Sequence, residues 1–458
     1  MDRVVFLDLG TTGLGETDEI IELGALKIIE GKTETYRQLV NPSKSSLSPR
    51  IFKLCRRLTE EELRRSPSFS EIKKEFLEFI AGSPLVCHNA AFEKRMLEKA
   101  LGEELKSTFL DTLELFVLFK PHLPRHSLEY LIRHYLKEDR LEAHRALEDA
   151  QDTARLAEKL FAELSADGAG ILEKTLELMR GTGWGWLKYL EKISPAIQYP
   201  AVTPFVIRKT VSHCKYTLDD AIELLADEER WQKYLPGYRV RPQQLKMAKY
   251  VTDAFKSGQA LFIEAPTGSG KTLGYLLPAV IWAVKEKEKV FISTNTRALQ
   301  EQVLSELPVI AAVLGIENIN FADMKGISNY ACRRKVEEEA KLPGGDLDTR
   351  LARCYLQNWA KLSTTGEVEE ISYWFRLNNK YLSRLINMVR CRREDCEGQK
   401  CSFNKECFYH RRVREMQSSY LCIINHSLLL TWPKGYPQIR RLIINEAHSL
   451  EGKSLRGL

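Results

Sequence analysis

A chain of 458 residues exceeds what one hydrophobic core organises, so two or three domains are expected. With 44% hydrophobic and 28% charged residues it has the make-up of an ordinary globular protein, and no apolar run reaches the roughly twenty residues of a membrane span. The formal charge of +6 permits a nucleic-acid partner without requiring one. Ten cysteines behind an N-terminus with no signal peptide suggest a cytoplasmic chain with a metal or cluster site, not a disulfide framework.

In chain order, the apolar run Val4–Leu7 predicts a central strand, followed by strands over Ile20–Ile29 and Thr35–Val40. A turn-rich stretch, Asn41–Pro49, precedes helical periodicity in Phe69–Ile80; Pro84–His88 reads as a buried strand and Ala90–Ala100 as a helix. In His144–Leu164, Leu147, Ala150, Ala154, Leu156, Ala157, Leu160 and Phe161 share one side, the pattern of an amphipathic helix. This alternation makes residues 1–165 a compact α/β domain. Residues 166–237 form a connecting segment expected to pack on one neighbour, with glycines interleaved with Trp184 and Trp186. A second α/β unit covers 238–458: strand Ala260–Glu264, helix Lys271–Val284, strand Val290–Thr294, helix Ala298–Leu307 and strand Arg441–Ile444. A mostly helical, cysteine-bearing insertion occupies about 325–410.

The strongest local signal is Ala265-Pro266-Thr267-Gly268-Ser269-Gly270-Lys271-Thr272, set between an apolar strand pattern and a helical one. Such glycines let successive N–H groups turn inward on phosphate oxygens, and the following helix aims its positive end at them. Lys271 would reach the outer phosphates of ATP and the Thr272 hydroxyl would bind Mg2+. Leu442–His448 is an apolar strand ending in polar residues, where Glu446 is placed to orient the attacking water.

Together with Arg241-Pro242-Gln243-Gln244 and Thr294–Gln300, these segments resemble, in order, the glutamine motif, motif I, motif Ia and the DEAH motif of superfamily 2 helicases. The chain resembles most closely the DinG-type helicases, relatives of the XPD helicase. That resemblance implies a RecA-like lobe in which Gln244 contacts adenine, while Gly268, Ser269, Gly270, Lys271, Thr272, Asn445 and Glu446 hold the nucleotide and its Mg2+. Asn445 stands where the family has an aspartate, which removes a charge beside the ion. The family continues into a second lobe that this sequence lacks, so the motor is expected to be incomplete, or completed by a separate polypeptide.

Cys332 is followed far along the chain by Cys396, Cys401 and Cys407, with Cys391 close by. Converging thiolates suit zinc or an iron–sulfur cluster, and the five-residue gap before Cys407 departs from usual zinc spacing. The family resemblance implies a [4Fe–4S] cluster on Cys332, Cys396, Cys401 and Cys407, with Cys391 as the substitute for Cys396. Arg333, Arg334, Arg390, Arg392, Arg393, Arg411 and Arg412 would then form either a phosphate-contacting face or a solvated one.

In the N-terminal domain, Asp8 ends one strand, His88–Glu93 ends another, and His144 lies five residues before Asp149. Taken singly, such an aspartate is a helix cap as readily as a metal ligand. The three segments resemble the motifs of DEDDh 3′–5′ exonucleases, an RNase H-like fold that holds two Mg2+ or Mn2+ ions. The resemblance implies that Asp8 and Asp149 bind metal, that His144 is the general base, that Glu93 belongs to the catalytic group, and that Asn89 and Phe92 frame the substrate groove. Gly10 replaces the family's glutamate and Glu93 its second aspartate, which predicts a weak or inactive nuclease. The expected function is an ATP-dependent helicase or translocase in DNA repair or recombination, acting on single-stranded or forked DNA, with a fused exonuclease-like domain. The alternatives are a 3′–5′ exonuclease whose helicase-like half only binds DNA, and a non-enzymatic nucleic-acid-binding protein. No membrane partner is expected.

Overall fold

The computed structural model describes residues 3–43, 58–138, 145–166, 170–193 and 214–450. The chain divides into two compact units, residues 1–203 with 335–389 and residues 204–334 with 390–458.

The first unit is built on a five-stranded sheet, β1 (Arg3–Thr11), β2 (Ile20–Ile29), β3 (Lys32–Leu39), β4 (Leu85–Cys87) and β5 (Phe109–Asp111), in the order β3-β2-β1-β4-β5. β1, β2 and β3 form an antiparallel meander, whereas β4 and β5 run parallel to β1. Val4–Leu7 are all buried, because the middle strand is covered on both faces. Helix α1 (Phe69–Ile80) starts at a capping box in which Glu71 accepts from the Ser68 N–H at 2.7 Å, and it buries Ile72, Phe76 and Ile80. Helices α2 (Ala90–Leu101) and α3 (Thr112–Phe119) follow β4 and β5.

Helix α4 (Ala146–Ala166) lies across β1 and β2. It comes so close that a Cβ on Gly24 would sit 2.0 Å from the Ala146 carbonyl carbon, so only glycine fits there. Gly24 is the register partner of Asp8, which puts the start of α4 over the C-terminal end of β1.

Two later segments also belong to this unit. Trp184 and Trp186 donate from their indole nitrogens to Glu114 Oε1 at 2.7 Å and the Asp111 carbonyl at 3.0 Å. The helix Leu347–Leu362, inside the stretch expected as an insertion of the other unit, packs on α3 and on the helix Ile171–Met179. Buried Asn358 donates there to the Leu118 carbonyl and to Thr175 Oγ1, each at 3.1 Å.

The second unit contains a parallel sheet of β6 (Val290–Thr294), β7 (Phe321–Met324), β8 (Leu421–Asn425) and β9 (Arg441–Ile444), in the order β7-β8-β6-β9. Helices α5 (Pro242–Ser257), α6 (Lys271–Glu286) and α7 (Arg297–Leu314) pack around it, and α8 (Phe408–Ser418) leads back into β8. Leu218, Leu224, Trp231 and Tyr238 join this core. The stretch expected to connect the domains while packing on one neighbour is thus divided: 171–193 fold with the first unit and 214–237 with the second.

One expected strand is not formed. Ala260–Glu264 has no regular structure, and Phe262 is 93% exposed. An apolar run becomes a strand only through its partner's ladder, and β9 is hydrogen-bonded to β6 alone among the described strands. No described helix is long and apolar enough to cross a membrane.

Candidate nucleotide cleft, acid site and cysteine group

In the second unit the loop before α6, the start of α5, α7 and the end of β9 surround a cavity of about 500 Å³. Gly268 and Gly270 take φ of +78° and +80°, a backbone that side-chain-bearing residues rarely adopt, and this turns the loop into α6. Gln244, 2% exposed, lies beneath the loop: its amide donates to the Gly270 carbonyl at 3.3 Å while its oxygen accepts from the Tyr238 hydroxyl at 3.1 Å. Arg241 donates to the Gly268 carbonyl. Ser269 is half-buried, its hydroxyl turned back on the Pro266 carbonyl at 2.8 Å.

Lys271, first residue of α6, forms an ion pair with Glu446 at 3.1 Å, and both side chains are about 30% exposed. Glu446 sits just beyond β9 with φ of +57°, and His448 Nδ1 lies 3.6 Å from its carboxylate. Asn445 is held by its backbone N–H on the Ser293 carbonyl at 2.9 Å. The Thr272 hydroxyl accepts from the Gln302 amide at 3.1 Å, and the same amide donates to Glu306 at 3.1 Å. Burial pushes the Glu306 carboxyl up to about 7, against the hydrogen bond from Gln302, which lowers it. The Tyr275 phenol is raised well above its usual range by burial first, then by the Glu306 and Glu446 charges.

In the first unit, acids gather where β1, β4 and β5 end. Glu93, in the first turn of α2, is 4% exposed and its Oε2 has no hydrogen-bond partner among the described residues. Burial, then the Asp8 and Asp111 carboxylates, hold its carboxyl well above the usual range. Asp111 is pushed up to about 6 by burial, although it accepts N–H groups from Asn89 and Ala90 at 3.0 Å and Leu113 at 2.8 Å. Asn89 itself adopts φ of +83° to turn the chain from β4 into α2, and Phe92 stacks with Arg95. Such a group of buried carboxylates is costly without a proton or a cation. Asp149 is buried one turn inside α4, and His144 lies outside the described residues.

Gly10 is paired across the sheet with Glu22, and a Cβ at position 10 would stand 3.0 Å from the Glu22 Cβ. Glu22 is 1% exposed and already engaged: Arg145 donates from Nε and Nη2 at 3.2 and 3.1 Å, Arg37 approaches at 3.4 Å, and the Ala146 N–H at 3.4 Å. Burial raises its carboxyl, while the Ala146 N–H and Arg37 pull it down. Glu16 is exposed, within the turn in which Thr12 and Gly15 donate to Asp18.

The cysteines lie in the second unit. The Cys391 thiol is within hydrogen-bond reach of Cys332 and Cys407, and their backbones meet through an Ala331–Arg390 bridge and a Cys391 N–H to Tyr330 carbonyl bond of 2.8 Å. Hydrogen bonding to Cys332 and Cys407 drives the Cys391 thiol up, while that from Cys391 brings Cys407 down to about 7. The structure therefore groups Cys332 and Cys407 with Cys391. Cys396 is exposed, its sulfur 3.5 Å from His410 Nε2, and Cys401 is half-buried. Among the described residues, no three His, Cys, Asp or Glu side chains stand at the spacing that holds a metal ion.

Residues 5–157 match the family model described as Exonuclease, and residues 241–342 the one described as DEAD/DEAH box helicase. Over 495 residues the chain is 29% identical to 3′-5′ exonuclease DinG of Bacillus subtilis (strain 168), an alignment covering 98% of this chain and 50% of that protein. Similarity of 26% over 471 residues extends to the protein of the same name in Staphylococcus epidermidis, with 98% and 50% coverage. Over 236 residues it is 32% identical to ATP-dependent DNA helicase YoaA of Escherichia coli (strain K12), covering 49% of this chain and 35% of that protein. The chain is a low-identity homologue of the DinG-type proteins. It spans about half the length of the DinG relatives it matches.

Several residues of the sites carry no motif of their own. Glu22 and Arg145 are ordinary charged residues until the fold brings them together. Asp111 had a usable signal, an acid directly before a helical pattern, and it caps α3. Gln302 and Glu306, four apart on α7, carry only the signal of a shared helix face.

Proposed function

We propose that this chain processes DNA, pairing an ATP-dependent, helicase-type lobe with a 3′–5′ exonuclease-like domain in the manner of the DinG-type proteins. The observation that carries the reading is the Lys271–Glu446 ion pair, which joins the start of α6 to the end of β9 across the cleft beside buried Gln244. A triphosphate would draw Lys271 off Glu446, leaving that carboxylate to hold the attacking water. Gln244 would meet the adenine, the loop N–H groups and the start of α6 the phosphates, and the Thr272 hydroxyl the Mg2+. Bound Mg2+ neutralises charge on the outer phosphates.

In the nuclease-like domain, Asp8, Glu93 and Asp149 would hold a divalent cation. The orphaned Glu93 oxygen and the crowd of buried acids favour that role. Gly10 leaves the ligand set one carboxylate short, so the nuclease is proposed to be weak. For the cysteines we propose an iron–sulfur cluster on Cys332, Cys407, Cys401 and either Cys391 or Cys396. The mutual approach of Cys332, Cys391 and Cys407, with one thiol held low, supports a soft-metal site and favours Cys391. Such a cluster would fix the loop 392–406.

Stimulation of ATP hydrolysis by single-stranded DNA, lost in Lys271→Ala, is the expected result for the intact protein. Binding of DNA without any nucleotide binding would refute the helicase-type reading. Protein purified without oxygen should be brown and carry iron with sulfide; a colourless protein holding one zinc would refute the cluster.

A further inference from the structure

The resemblance to helicases assigns the magnesium end of the cleft to Thr272 and the last residues of β9, and there this chain carries Asn445 in place of an acid. The structure places another acid at the same end. Glu306 projects from α7 into the cavity, and four residues earlier on that helix Gln302 bridges it to the Thr272 hydroxyl. Only one Glu306 oxygen is used by that bridge. The other, Oε2, is buried and has no hydrogen-bond partner among the described residues. Thr272, Glu306, Asn445 and Glu446 all line the same cavity, so both acids face the volume beside that hydroxyl.

A buried carboxylate oxygen left unsatisfied costs free energy unless a ligand completes it. The cations lining the cleft are engaged elsewhere: Lys271 is paired with Glu446, Arg239 with Glu228, and Arg241 with the Gly268 carbonyl. A hydrated divalent cation on Thr272 supplies both the charge and the donors that Glu306 lacks. We propose that Glu306 is the second acid of the magnesium site, replacing the charge absent at Asn445. Gln302 is its positioning residue, fixing Glu306 and Thr272 relative to each other. The proposal rests on the nucleotide-binding reading of the cleft and assigns that cleft a magnesium residue outside the helicase motifs.

Glu306→Gln removes the charge while keeping an acceptor for Gln302, so it separates a magnesium ligand from a structural hydrogen bond. The intact protein is titrated with Mg2+ at a fixed concentration of a fluorescent ADP analogue, and the half-saturating Mg2+ is read. Losing one charge-assisted contact should raise that concentration about tenfold in Glu306→Gln. Asn445→Asp should lower it in the parent and restore it in the Glu306→Gln background. Nucleotide binding with a parental Mg2+ requirement in Glu306→Gln would overturn the role of Glu306 alone. So would an Asn445→Asp variant that fails to restore the doubly substituted protein. A parent that binds no nucleotide at saturating Mg2+ would instead remove the cleft reading on which the proposal stands.

Discussion

The acid site of the first unit and the candidate nucleotide cleft of the second each lack a carboxylate of the pattern they resemble, at Gly10 and at Asn445. They differ in what stands beside the gap. Next to Gly10 the nearest acid, Glu22, is saturated by Arg145, Arg37 and the Ala146 N–H, and its Cβ closes on the space an added side chain would need. Next to Asn445 the cleft offers Glu306, with one oxygen tied to Gln302 and the other unpartnered. A nearby carboxylate can take over a ligand's work only if its own hydrogen bonds are not already spent. By that criterion the gap at Asn445 can be filled and the gap at Gly10 cannot.

The largest expected effect comes from taking Glu22 away. Glu22→Ala leaves the Arg145 guanidinium, itself largely buried, without its partner, and breaking such a pair costs about 3–5 kcal/mol. Chemical unfolding followed by tryptophan fluorescence should show a loss of that size. Stability within about 1 kcal/mol of the parent would mean that Glu22 is not the anchor of α4 and is free for another role. Next in size, Lys271→Ala removes a charge-assisted contact to phosphate worth about 1.5–3 kcal/mol, so ATP should bind ten- to a hundredfold more weakly. Equilibrium binding with a fluorescent analogue measures this.

A smaller effect follows from the buried acids around Asp111. A carboxyl raised from its usual value to about 6 keeps its proton longer in the folded protein than in the unfolded chain. Between roughly pH 4 and 6 the folded state therefore holds more protons, and stability falls as pH rises through that window. Metal-free protein should melt at a lower temperature at pH 7.5 than at pH 5, with Mn2+ restoring part of the difference at pH 7.5. A melting temperature that rises over that interval without metal would contradict the crowded-acid description. The smallest effect is expected for Gly10→Glu. Its new Cβ meets Glu22 at 3.0 Å, so β1 or β2 must shift before the carboxylate reaches the site. Mn2+-dependent degradation of a 3′-labelled strand should rise only modestly over the parent and vanish with Asp8→Ala. A parent as fast as the variant would show that no ligand is missing.

Much of the fold was legible because periodicity and burial coincide. The expected bounds of Ile20–Ile29, Phe69–Ile80, Val290–Thr294 and Arg441–Ile444 are those of β2, α1, β6 and β9. What failed depended on partners far away in sequence. Leu421–Asn425 is a strand because it enters between β6 and β7, while the equally apolar Ala260–Glu264 has no ladder and is irregular. At the sites, Gln244, Lys271 and Glu446, singled out in the sequence, line one cavity. The pairing of Arg145 with Glu22 could not be read in the sequence, since the fold makes it between segments that are distant in the chain.

The contrast between the two gaps is tested most directly by counting tight Mn2+ sites on the intact protein by electron paramagnetic resonance, with and without ADP. The account predicts that ADP creates one additional tight site, that Glu306→Gln weakens it about tenfold, and that without ADP the acid site of the first unit binds Mn2+ only weakly. Tight Mn2+ binding without nucleotide that survives Glu306→Gln and disappears in Asp8→Ala would contradict it, because the site lacking a carboxylate at Gly10 would then be the complete one.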